Sequence, residues 1–152
     1  MSKEELSREI GSAVRRLQQS FDAFDEAVAA RLGVNRTDLR CLDLVLADGP
    51  LAAGALAAGL KLSPAATTTV IDRLERAGFV ARARDAANRR RVLVAATDAA
   101  RAMDAEIYRP VGAAGARALE RFGEEQLRAI ADFLETARRV QEEQAARISE
   151  AP

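Results

Sequence analysis

Between Ser63 and Gly78 the sequence specifies a helix with both ends marked. Ser63 offers a hydroxyl at the N-cap, and Pro64 a pre-set φ at the first helical position, where the missing N–H costs nothing. Thr67, Val70, Ile71 and Leu74 fall at i, i+3, i+4 and i+7, which makes one inner stripe. Gly78 closes the helix. Beyond it the period changes. Phe79–Arg84 alternates in and out, and Arg91–Ala95 does so around an apolar centre. The six residues between, Asp85–Arg90, have turn composition. This predicts a β-hairpin with Arg89, Arg90 and Arg91 at its tip and descending strand.

The flanking segments read as helices. From Ser2 to Leu32, the residues Ile10, Val14, Leu17, Phe21, Phe24 and Val28 recur at alternating steps of four and three. That is the seam of a helix packing on other helices, with Gly33 as a left-handed cap. A second helix is expected over Arg36–Ala47, with Leu39, Leu42, Val45 and Leu46 on one side and Cys41 inside it. Asp48-Gly49-Pro50 stops it. Leu51–Leu60 suits a short buried helix, weakened by Gly54 and Gly59. Thr97-Asp98 caps a long helix expected to be interrupted or kinked near Pro110 and broken at Gly123. A last helix starts near Glu124, with Leu127, Ile130, Ala131, Leu134, Ala137 and Val140 inward. The tail Arg147–Pro152 is expected to fray.

Composition narrows the chemistry. At 152 residues the chain is one domain, or one domain with helical extensions. It has no histidine and a single cysteine, Cys41, so it holds no internal disulfide and no Cys/His zinc cluster. No imidazole is present to serve as a general base, and no catalysis, metal or cofactor is expected. The N-terminus MSKEELSREI lacks the apolar core of a signal peptide. The longest apolar run, the ten residues Leu51–Leu60, is far short of the ~20 needed to span a bilayer. A cytoplasmic protein without membrane association is the expectation, with Cys41 a buried, inert thiol. Net charge is zero, yet Lys61–Val94 holds eight basic and three acidic residues, +5, which leaves −5 elsewhere. Only such a stretch would attract a polyanion. Charge alone fits a solvated arginine-rich face equally well.

Helix, turn, capped helix and arginine-tipped hairpin in succession describe a mainly α (α+β) fold, the winged helix-turn-helix. The residues resemble the MarR family of bacterial transcription regulators. The likeness runs through Arg36-Thr37-Asp38-Leu39-Arg40, Gly49-Pro50-Leu51, Leu56-Ala57 and Leu60–Pro64. It is strongest in Val70–Val80, and Arg89–Val94 with Thr97-Asp98 complete it. It implies an N-terminal dimerisation helix over 1–32, a DNA-binding domain over 33–97 and C-terminal dimerisation helices over 98–152. Three departures stand out. Asn88 occupies a position usually held by aspartate, Ala52 and Ala55 leave the short helix without a capping box, and Ala96 and Ala100 replace the usual Leu and Gly.

The resemblance places helix 63–77 in the major groove of double-stranded DNA and the wing 85–91 in the minor groove. Ala65 suits a thymine methyl, and Thr68 and Thr69 suit methyls or base edges. Ser63 and the helix amides suit phosphate. Arg73 and Arg76 are placed for backbone or guanine. Arg90, oriented by Asn88, is the inserted residue, with Arg82, Arg84, Arg89 and Arg91 as phosphate contacts. A blander alternative makes the threonines plain helix surface and pairs Asp72 with Arg76 at i,i+4. The family further implies a homodimer on a pseudo-palindromic operator, acting as a ligand-responsive repressor. Its effector would be a small aromatic or anionic molecule, with Phe21, Phe24 and Tyr108 as candidate contacts. The competing function is a winged-helix module for protein–protein assembly, whose hairpin meets an acidic partner.

Overall fold

The structure, a computed structural model, describes residues 1–150. Its elements in order are α1 (Lys3–Leu32), α2 (Arg36–Asp48), β1 (Leu51–Ala52), α3 (Ala53–Leu60), α4 (Pro64–Arg76), β2 (Val80–Arg84), β3 (Val92–Ala96), α5 (Asp98–Leu119) and α6 (Glu124–Ser149). The chain divides into two compact units, the first Met1–Ile107 and the second from Tyr108 onward.

Within the first unit the helix ends are those that local chemistry dictates. Ser2 and Asn35 begin α1 and α2 with reciprocal capping boxes, and Gly33 ends α1 at φ 66°. The N–H of Ala66 donates to Ser63 Oγ at 3.2 Å, with Pro64 following the cap. Helix α3 starts at Ala52 with no side-chain cap and ends on Lys61, a lysine in the left-handed region at φ 55°. After α4, Gly78 turns the chain at φ 80°, a backbone region in which a Cβ is strained.

The alanine-rich stretch after Pro50 opens with a two-residue strand instead of being helical throughout. It completes an antiparallel sheet of order β1-β3-β2, with Leu51 opposite Val94 and Ala52 opposite Leu93. Strands β2 and β3 pair from Val80↔Ala96 to Arg84↔Val92. The α4 stripe Thr67, Val70, Ile71 and Leu74 is buried against Leu42, Val45, Leu56, Leu60, Val80 and Val94. Truncating one of the larger of these side chains to alanine costs about 2–5 kcal/mol. Thr97 then ties the layers together. Its hydroxyl donates to the Gly78 carbonyl at 2.7 Å, and it accepts from the Ala100 N–H at 3.2 Å as the first turn of α5 begins. A smaller cluster of Val28, Ala29 and Leu39, with Phe24 and Ile107 against it, seats the end of α1.

The break expected at Gly123 is present, while the expected interruption of α5 and fraying of Arg147–Ser149 need correction. Helix α5 continues through Pro110 to Leu119 without interruption. Gly123 is the N-cap of α6, its N–H donating to Gln126 Oε1 at 2.9 Å. Arg147–Ser149 are helical too, and the Glu150 N–H closes the last turn on the Ala146 carbonyl at 3.1 Å; residues 151–152 of the expected frayed tail lie outside the described residues. Among the described residues the second unit buries none, and Val111, Leu119, Phe133, Leu134, Val140 and Ile148 are exposed.

Candidate nucleic-acid interface

Helix α4 buries one stripe and leaves Ala65, Thr68, Thr69 and Arg76 exposed, because 3.6-residue periodicity turns those positions away from the core. Thr68 Oγ1 donates to the Pro64 carbonyl at 3.0 Å, and Thr69 Oγ1 to the Ala65 carbonyl at 3.2 Å. Both hydroxyl protons are therefore spent on the helix, and what faces outward is methyl and acceptor oxygen. Ser63 is likewise engaged as cap to Ala66.

The loop beyond β2 is built by two aspartate-type turns. Asp85 Oδ1 accepts the Ala87 N–H at 2.9 Å, and Asn88 Oδ1 accepts the Arg90 N–H at 3.1 Å. The Asp85 N–H donates to the Arg91 carbonyl and the Arg91 N–H to the Asn88 carbonyl, which closes the hairpin. Asn88 thus performs through its amide oxygen the turn-making task a carboxylate could do, without adding a negative charge. It holds the backbone of Arg90. Arg84, Arg89, Arg90 and Arg91 are exposed and, like Arg76, make no ion pair among the described residues.

Two of the arginines have other partners. Arg73 forms a fork on Asp38, a carboxylate of α2 with only 2% of its side chain exposed. That hydrogen bond raises the Arg73 pKa further above its ordinary value. Arg82 spans Asp72 and Glu75, with Nη2 2.6 Å from Asp72 Oδ1 and Nη1 on Glu75 Oε2. Its pKa is also raised, first by the hydrogen bond to Asp72. Asp72 therefore pairs with Arg82 and not with Arg76, so the i,i+4 pair of the blander alternative is not formed. Sequence spacing missed both contacts, since each joins different elements. Asn35 with Asp38 three residues on was readable as a capping box, but nothing local pointed to Arg73.

The remaining candidates lie on other elements. Phe21 is exposed on α1, Phe24 packs on the Val28 cluster, and Tyr108 is half-buried in the second unit. Cys41 is fully buried, and burial, then the nearby Asp38, pushes its thiol up to about 11. No group of three or more Cys, Asp or Glu side chains that could hold a metal ion occurs among the described residues.

The MarR family profile matches residues 34–92, which spans α2, α3, α4 and most of the hairpin. Over 149 residues the chain is 32% identical to the HTH-type transcriptional regulator YcgE of Bacillus subtilis (strain 168), covering 98% of this chain and 97% of that one. The chain belongs to the MarR family. As a MarR-family transcription regulator it is a DNA-binding protein and not an enzyme. Solved structures agree on the fold. YusO from Bacillus subtilis is 26% identical and superposes with a TM-score of 0.63, covering 93% of this chain and 99% of that one. A MarR family protein from Bacillus stearothermophilus, 23% identical, gives 0.65 over 95% and 99%. No described helix is long and apolar enough to cross a membrane.

Proposed function

We propose that this MarR-family chain acts in the cytoplasm as a homodimeric, ligand-responsive repressor. It would lay helix 63–77 in the major groove and the wing 85–91 in the adjoining minor groove of a pseudo-palindromic operator. The observation that carries this reading is the set of exposed arginines with no ion pair among the described residues, Arg76 at the end of α4 and Arg84, Arg89, Arg90 and Arg91 on the wing. Arginine on a turn suits a narrow minor groove, where negative potential is concentrated. Ala65, Thr68 and Thr69 are then the base-edge contacts, and Ser63 with the first amides of α4 a phosphate contact. No Asn or Gln lies on α4 to read adenine bidentately, so DNA shape carries part of the specificity.

Support for the dimer comes from α1 and the second unit. Ile10, Leu17 and Phe21 lie exposed along α1, and Leu134 and Val140 lie exposed along α6, apolar surface on each helix that a second copy would cover. In this division 1–32 and 98–152 dimerise and 33–97 binds DNA. Paired recognition helices then lie one duplex turn apart, ~34–36 Å. A small aromatic or anionic effector touching Phe21, Phe24 or Tyr108 belongs to the same reading and rests on the family likeness.

The test is enrichment of genomic fragments by the purified chain, followed by electrophoretic shift at graded salt. A specific complex is expected, with log affinity falling by about 0.9 per phosphate contacted for each unit of log salt. Retention of an acidic protein partner with no fragment enriched would favour an assembly module instead.

A further inference from the structure

We propose that Arg82 is a positioning residue: it locks the wing to the recognition helix and masks two carboxylates that would otherwise face DNA phosphate. The inference deepens the DNA-interface reading and rests on it. Asp72 and Glu75 stand three residues apart on α4, hence on neighbouring positions of one face. Arg82, opposite Val94 in the β2–β3 register, reaches both. One guanidinium nitrogen meets Asp72 at 2.6 Å and the other meets Glu75. The Arg82 main-chain N–H also donates to Glu75 Oε1 at 3.3 Å, so the Glu75 carboxylate grips strand and side chain together.

Exposure fits a clamp better than a free contact. The Arg82 side chain is 31% exposed, less than its partners at 47% and 42%. Both terminal nitrogens of its fork are occupied by carboxylate. A phosphate approaching Arg82 would also approach two negative charges. With the clamp intact, one of the two carboxylate charges is offset, and Arg76 makes no ion pair among the described residues. Hairpin and helix are then presented as one surface, which a minor-groove arginine and a major-groove helix must share in fixed register.

The experiment is a cycle of Arg82→Gln, Asp72→Asn/Glu75→Gln and the triple variant in the full chain. The probe is a duplex enriched by the unmutated protein from a random-sequence pool. R82Q is expected to weaken binding more than tenfold while leaving the salt slope unchanged. In the Asp72→Asn/Glu75→Gln background the same change is expected to cost less than threefold. Amide exchange in β2 and β3 is expected to quicken in R82Q without DNA. Equal losses in both backgrounds, with a slope shallower by about 0.9, would make Arg82 an ordinary phosphate contact and overturn the clamp. If the unmutated chain enriches no duplex, the DNA-binding reading fails. Amide exchange then decides the clamp alone, and unaltered exchange in R82Q sinks it.

Discussion

Arg73 reaches back 35 residues to fork onto Asp38, with Nη2 2.6 Å from Oδ1 and Nε 3.0 Å from each carboxylate oxygen. Asp38 is buried and also accepts the Asn35 N–H at 3.3 Å, so one carboxylate caps α2 and anchors α4. Removing the arginine strands a buried charge, which is more damaging than never having had the pair. Arg73→Ala is expected to cost about 2–3 kcal/mol, below the usual figure for a buried pair because Arg73 is partly open to water. Arg73→Lys keeps the charge but loses the fork, and an intermediate loss is expected. Urea midpoints of the three proteins check this, and weakened DNA binding by Arg73→Ala is then read as a displaced helix. A midpoint unchanged in Arg73→Ala would return Arg73 to the DNA face.

Asp43 gives the molecule a pH dependence of unusual sign. Burial, then the carboxylates of Asp25 and Asp104, raises its pKa from 3.8 to about 6, against the opposing pull of Arg36. The folded state therefore holds the proton more tightly than the unfolded one. That contribution is favourable in acid and is lost as pH rises through about 4 to 6. Asp43→Asn is expected to stabilise the chain at pH 7 by about 1 kcal/mol or less, since the residue keeps much of its surface in water. The gain should vanish near pH 4. Thermal unfolding across that range measures it, and a gain that persists at pH 4 would assign the effect to packing.

The contrast between these contacts and the helices shows what the sequence could convey. Ser63, Pro64, the Thr67–Leu74 stripe and Gly78 each act within a few residues, so their order alone specified α4 and its inward face. The arginine hairpin was readable for the same reason, through alternation and turn composition. Strand β1 was hidden because two residues in an alanine-rich run pair only once β3 exists. Asp38–Arg73 and Arg82–Asp72–Glu75 were hidden because they join side chains across elements. The arginines were visible as charges, but their engagement was not. Which cations remain free for a polyanion is thus a property of the tertiary structure.

Cys41 is expected to be chemically silent in the native protein. With its thiol pushed up to about 11 and its side chain fully buried in the core with Leu42 and Ile71, little thiolate exists at pH 7.5 and no reagent reaches it. A chromogenic disulfide reagent should react within minutes in guanidinium and scarcely in buffer over hours. Peroxide should leave DNA binding unchanged. Fast native labelling coupled to release from DNA would instead identify a redox sensor.

The wing offers the most direct mutational reading of DNA contact. Arg90 is exposed, makes no ion pair, and has its backbone fixed by Asn88. Arg90→Ala is expected to weaken operator binding by about 1–3 kcal/mol with no change in unfolding midpoint. Asn88→Ala removes only the acceptor that shapes the turn, so a smaller loss is expected, on the order of 1 kcal/mol. Asn88→Asp restores that acceptor while adding a negative charge beside the groove, and its binding should be weaker at low salt and fall less steeply with salt than that of Asn88→Ala. Electrophoretic shifts at two salt concentrations separate these outcomes. Full affinity in Arg90→Ala would move the inserted residue elsewhere on the loop.

The seam on α1 makes a prediction about assembly that is independent of DNA. Ile10, Leu17 and Phe21 are 41%, 46% and 60% exposed, and steps of seven and four place them on one side of the helix. Covering such a side requires another apolar surface, and a stable subunit interface buries about 1,200–2,000 Å² in total. Ile10→Glu/Leu17→Glu places two carboxylates on that seam while leaving the Leu42–Ile71–Val94 core untouched. Light scattering should give about twice the 16.3 kDa chain mass for the unmutated protein and the single chain mass for the variant. Because helix propensity at these exposed positions is little affected, α1 should stay helical by circular dichroism. A variant that retains the doubled mass would move the subunit contact away from α1, whereas an unmutated protein already at the single chain mass would remove the dimer and with it the paired half-sites.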